Sequence, residues 1–161
     1  MTNAATPPTQ DHKETGPDLT QAKAALAKLP MLGPVMWLYA RDTQKRWTFI
    51  AEQDWLLMPP LVLDQCKLYT RQEIPWAYCS WAKVDDLTHE RLKSGVAKIA
   101  PNEWNAGSYF WLIDLITPFG DADKILMDLR TTVLTGQTLH RQRVPKPGEP
   151  LVGVYEMLEA I

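Results

Sequence analysis

The stretch SYFWLIDLI, residues 108–116, constrains the fold more than any other part of the chain. It is almost continuously apolar and aromatic, and Pro118 and Gly120 close it off. A short run of this kind predicts a central β-strand covered on both faces. Such a strand needs partners on both edges and layers above and below, so the remaining elements must wrap around it. Asp114 stands in the middle of this run. A carboxylate forced into a sheet interior costs several kcal/mol unless a cation or hydrogen-bond donors meet it. Asp114 is therefore either a structural ion-pair partner or a catalytic acid, base or orienter. The residues alone leave both readings open.

The neighbours are written around it. CKLYTR (66–71) alternates apolar and polar, and WAYCSWAK (76–83) follows a tight return at Pro75, which predicts a β-hairpin. LHRQRV and LVGVYEM read as two final strands, with PKPGEP as the turn between them. At the other end, Leu19, Ala22, Leu26 and Leu29 share one helical face, with Asp18 as N-cap and Pro30 as stop. That predicts an appended helix over 18–30. From Gly33, GPVMWLYARD predicts a second short helix with Trp37 inward, and further helical turns follow, interrupted by Pro59 and Pro60. Asp85 or Asp86 caps a helix through LTHERLKSG that Gly95 ends. Asp121 or Asp123 opens another through KILMDLRTTVL, closed by Gly136. This order predicts a mixed α/β (α+β) fold, with a mainly antiparallel sheet flanked by helices and a short N-terminal helical extension. With 161 residues, 45% of them hydrophobic, the chain can bury one core, so residues 18–161 read as a single domain. Residues 1–17 mix Pro, Thr, Gly and charge and read as a disordered tail.

Several function classes fall away. No apolar run approaches the roughly 18 residues of a membrane span, and no apolar signal core opens the chain. Cys66 and Cys79 have neither metal-ligand spacing nor a disulfide framework, which predicts a cytoplasmic, reducing setting. A net charge of −2 and the lack of a recognition motif set nucleic acid aside. No metal cluster, Cys/His nucleophile pair or Gly-rich phosphate loop is visible, so neither a metal nor a bound cofactor is expected. His12 lies in the tail, His89 on an apparently exposed helix, and His140 heads a basic stretch; none stands out as catalytic. Two basic clusters remain, Arg41, Lys45 and Arg46 early and Arg141, Arg143 and Lys146 late. Each is either a solvated face or an anion-docking surface. The seven tryptophans either fill the core or line a ligand pocket.

The segments LGPVMWLYARD, WLLMPPL, CKLYTRQEIPWAYCSWAKV, EWNAGSYFWLIDLITPFGD and ILMDLRTTV follow one another in an order that resembles the RTX toxin-activating lysine acyltransferases. The resemblance runs from about Leu32 to Met157, and AYCSWA (77–82) and WLIDLITPFG (111–120) are its most specific parts. It implies a GNAT-like fold and transfer of a fatty acyl group from acyl carrier protein to lysine ε-amines of a toxin-type protein substrate. It also allows a homodimer. Position by position, the family's catalytic aspartate matches Asp114, whereas its histidine falls on Lys45 and a preceding serine on Asp42. Histidine suits proton transfer because its ordinary pKa lies near neutrality. A lysine side chain, with an ordinary pKa near 10.4, is a poor base, and a neighbouring carboxylate favours its ammonium form. A Lys45–Asp114 ion pair is the sensible expectation, with an acyl-accepting Lys45 as the other. Trp37, Ser80, Trp81 and Trp111, with Arg41 and Arg46, are the expected acyl- and substrate-binding positions. The alternative is a non-catalytic relative that serves as a binding module. A coenzyme A-dependent small-molecule transferase is weakened because PFGDAD offers a single glycine where a pyrophosphate turn is needed.

Overall fold

The computed structural model describes residues 19–161. The tail 1–17, the Asp18 cap and His12 lie outside the described residues. The sheet has five strands, β1 (Cys66–Arg71), β2 (Ile74–Val84), β3 (Tyr109–Ile116), β4 (Leu139–Gln142) and β5 (Tyr155–Leu158). They are ordered β1-β2-β3-β4-β5, with β3–β4 parallel and the other pairs antiparallel. This is the mostly antiparallel, helix-flanked layout expected of a GNAT-like fold. β1 and β2 form the expected hairpin, and Gln72 and Glu73 take positive φ to turn it.

Helix α1 (Leu19–Tyr39) corrects one expectation: Pro30 does not stop it, and Pro34 does not either. The extension over 18–30 and the helix from Gly33 are one continuous element. Each proline removes the bond to the carbonyl four residues back. Those carbonyls belong to Leu26 and Pro30, both exposed, so water serves them. Packing of the C-terminal half holds the helix together. Val35, Leu38 and Tyr39 are buried against Leu56, Leu57, Tyr78 and Ile116. Short helical turns, α2 (Gln53–Leu56) and α3 (Met58–Val62), follow on the same face. Pro59 and Pro60 sit in the first turn of α3, where no amide donor is required.

Helix α4 (Asp86–Lys93) is capped by Asp85, whose carboxylate accepts the Thr88 amide at 2.8 Å. It covers the same sheet face together with Ile99 and Trp104. Gly107 leads into β3 so close to β2 that a Cβ there would lie 2.3 Å from the Val84 carbonyl oxygen. Helix α5 (Ala122–Asp128), extended by a wider π-type turn over Leu129–Val133, crosses over between β3 and β4. It covers the opposite face, packing Leu126 and Leu129 on Cys79, Trp81 and Leu112. β3 is thus covered on both sides.

Cys66 and Cys79 belong to opposite faces of adjacent strands and are both free. Burial pushes the Cys66 thiol up to about 11 and the Cys79 thiol to about 12. Neither thiol is expected to react with a disulfide reagent at pH 8 in the folded protein, and both should react once urea unfolds it. Trp104 has no exposed surface, and its indole N–H donates to the Trp55 carbonyl at 2.9 Å. Trp104→Ala is expected to cost about 3–5 kcal/mol in urea unfolding, through the cavity it leaves and the orphaned carbonyl.

Candidate active site

β3 breaks its alternation at one point. Ser80 of β2 pairs with Asp114, yet the next residue, Trp81, pairs with Leu112, which leaves Ile113 as an extra residue in β3. A bulge of this kind shifts every following side chain to the other face. Trp111 and Ile113 pack under the helices of the α1 and α4 face, and beyond the bulge Asp114 and Ile116 point the same way. Without the extra residue, Asp114 would face α5. With it, the carboxylate lies beneath the end of α1.

Its side chain is fully buried. The Tyr39 hydroxyl donates to Oδ2 at 2.6 Å, and the Lys45 ammonium lies 2.5 Å from Oδ1. Burial first, and the Asp114 charge after it, hold the Tyr39 phenol well above its usual pKa, so it keeps its proton and donates. Lys45 is delivered by a turn after α1. Asp42 Oδ1 accepts the amides of Gln44 and Lys45, each at 2.9 Å, and so fixes the direction in which Lys45 leaves the backbone. The Lys45 side chain remains 40% exposed. One end of the pair is dry and the other faces solvent.

Two clefts of about 180 Å³ meet at Lys45 and Thr48. The first runs toward the sheet and is lined by Glu52, Trp55, Leu92, Trp111 and Gln142. The second runs along α1 and is mainly apolar, with Met36, Phe49, Ile50 and Leu57 beside Arg46. The ammonium therefore stands between a polar cleft and an apolar groove. A fixed cation there can stabilise negative charge developing on an oxygen, or give a proton to a departing anion. It cannot act as a base while protonated. A larger apolar groove of about 620 Å³ lies near Ala24, Ala25, Met58 and Val62, toward the opposite end of α1.

Of the residues expected at the site, Asp114, Lys45, Ser80 and Trp111 come together. Ser80 faces α1 beside Asp114, with its hydroxyl buried and without a hydrogen-bond partner among the described residues. Arg46 lines the apolar groove and sits over the Trp47 ring at 5.2 Å. Trp81 is not at the site: it is one residue from Ser80 in a strand, so it points to the opposite face and packs beneath α5. Trp37 and Arg41 lie to one side, where the Arg41 guanidinium stacks 3.5 Å from the Trp37 ring and Trp37 meets Phe119. The late basic cluster is largely neutralised, since Arg141 pairs with Glu156 and Arg143 forms a two-pronged bond to Glu149.

His89 corrects a second expectation. It is buried, not exposed, because α4 turns that face onto β3. Its Nδ1 accepts the Trp111 indole N–H at 3.0 Å, and its ring stacks on Tyr109 with centroids 4.0 Å apart. Burial first, and then neighbouring His140, hold its pKa below the usual value. Tyr39 and Glu52 were missed by sequence reasoning. Tyr39 had a signal: it lies four residues after Val35 on the buried stripe of α1, so its hydroxyl needed a partner.

Removing one member of the Asp114–Lys45 pair leaves a buried carboxylate with half its partners. Lys45→Met is expected to cost about 1–3 kcal/mol in urea unfolding at pH 7, less than a fully buried pair because solvent reaches the ammonium. Adding Asp114→Asn should restore most of that loss, which a double-mutant cycle measures.

A family model for the RTX toxin acyltransferases, of HlyC type, matches residues 24–156. The lysine-acyltransferase RtxC of Vibrio cholerae serotype O1 is 32% identical over 114 residues, covering 70% of this chain and 74% of that protein. The RTX-II toxin-activating lysine-acyltransferase ApxIIC of Actinobacillus pleuropneumoniae is 32% identical over 100 residues, 62% of each chain. The protein-lysine myristoyltransferase HlyC of Escherichia coli is 33% identical over 93 residues, covering 58% of this chain and 55% of that one. The chain thus spans about three quarters of the first relative and less than two thirds of the other two. With that match running from α1 to β5, the chain belongs to the RTX toxin acyltransferase family.

Proposed function

We propose that this protein is a protein-lysine acyltransferase that moves a fatty acyl group from acyl carrier protein to lysine side chains of a toxin-type protein. The observation that carries the reading is the Lys45 ammonium, fixed by a buried Asp114 at the junction of a polar cleft and an apolar groove. A thioester bound there would place its chain along the apolar groove and its carbonyl near the ammonium. As the target amine attacks, negative charge grows on that carbonyl oxygen and then on the leaving sulfur. A held cation stabilises the first and can protonate the second. Asp114 orients Lys45 and does not meet the substrate. Arg41 and Arg46, whose charged heads rest over tryptophan rings, supply the face for the acidic carrier protein. The same reading puts the protein in the cytoplasm, in keeping with its two free thiols, and includes a homodimer, which light scattering checks.

A second reading is favoured by the same pair. Lysine stands where the family keeps histidine, and an ion pair that only neutralises a buried charge would leave a module that binds carrier or partner without chemistry.

One experiment separates them. The protein is incubated with carrier protein loaded with chains of different lengths and a lysine-bearing acceptor protein, and the acceptor is read by mass spectrometry. Transfer is expected, falling about 100-fold or more in Asp114→Asn, as for the loss of an electrostatic element of a site. Carrier binding without transfer at any chain length would establish the second reading instead.

A further inference from the structure

A lysine acceptor reaches the enzyme as an ammonium ion and must lose a proton before it can attack. Neither member of the central pair can take that proton. Lys45 is a cation, and the Asp114 side chain is fully buried with Tyr39 on one oxygen and Lys45 at the other. Among the residues lining the sheet-side cleft there is one carboxylate, Glu52. We propose that Glu52 is the group that receives the acceptor lysine; the assignment rests on the acyltransferase reading above.

The local geometry prepares Glu52 for this. Its amide donates to the Phe49 carbonyl at 3.0 Å, while its own Oε2 accepts the Phe49 amide at 2.8 Å. This reciprocal pair fixes the side chain without spending its charge on a cation. Glu52 has no ion-pair partner among the described residues, and its side chain is half-buried. The cleft therefore holds a cation and a carboxylate, Lys45 and Glu52, and Trp55 and Trp111 line the same cleft as apolar surface for an aliphatic stem. That arrangement matches the reactants in charge. The thioester oxygen, which becomes negative, meets Lys45, and the incoming ammonium meets Glu52.

The proton count closes. The ε-ammonium binds Glu52 as an ion pair and gives up one proton through it to solvent. The amine nitrogen attacks the thioester carbonyl, a C–N bond forms, and the C–S bond breaks. Lys45 protonates the departing sulfur and is recharged by the second nitrogen proton, leaving an amide and a free thiol. No oxidant, reductant or further reactant is needed.

The test compares two acceptors, a lysine peptide and hydroxylamine, the latter neutral at pH 7.5, with acyl carrier protein as donor. Glu52→Gln keeps an oxygen for the Phe49 amide while removing the charge. The expected result is a kcat/KM for the lysine peptide that falls at least about 10-fold more than hydroxamate formation above background, with most of the change in acceptor KM. Equal losses with both acceptors would overturn the assignment, since they would place Glu52 in donor binding or in folding. Unchanged lysine transfer would overturn it too. If the wild-type protein acylates neither acceptor, the acyltransferase reading itself fails, an outcome distinct from an active wild type whose Glu52→Gln variant is indifferent to acceptor charge.

Discussion

A carboxylate placed inside the sheet is the constraint around which the molecule is arranged. Asp114 is fully buried, and among the described residues Tyr39 and Lys45 meet its charge. Both come from a single stretch of chain, the last turn of α1 and the turn just after it. The docking of α1 on the sheet is therefore tied to the neutralisation of Asp114, and the apolar contacts of Val35 and Leu38 hold the same end of the helix down. A bulge at Ile113 completes the arrangement by deciding which face the carboxylate uses. Burial of charge, helix docking and strand register are one problem with one solution.

A lysine beside the aspartate, where the resemblance implies a histidine in the family, changes what that solution offers chemically. A histidine can take and return a proton near neutrality, whereas a lysine side chain ordinarily carries its charge there. The floor of the cleft is then electrostatic. Whatever accepts a proton must be elsewhere in the cleft, and Glu52 is the carboxylate that lines it with Lys45. Asp42 holds the turn that aims Lys45 and so serves the same ion pair.

Much of the layout was legible because it depends on local rules. Alternation in CKLYTR, the apolar run at 109–116 and the aspartate before α4 marked β1, β3 and an N-cap, and each needs only neighbouring residues to be recognised. The Asp114–Lys45 contact was also within reach, because a buried carboxylate must find a cation and the resemblance pointed to Lys45 as its neighbour. Helix α1 was misread where a local rule met a tertiary one. Pro30 and Pro34 each delete one hydrogen bond, yet the carbonyls they free belong to the exposed residues Leu26 and Pro30 while the far end of the helix is clamped by the core. His89 was misread for a similar reason, since the face α4 buries is set by what it packs on and not by its own polar sequence.

The amino-acid sequence by itself determined that this chain builds a strand-centred α/β layer structure with a charged residue in its middle, because periodicity and burial cost are properties of short segments. Only the tertiary structure decided that Ser80 and Asp114 share a face, that Trp81 leaves it, and that Tyr39, Lys45 and Glu52 gather around one pair of clefts. A single extra residue in β3 reverses the direction of every side chain beyond it, and no pattern within β3 alone reports which partner residue it will face.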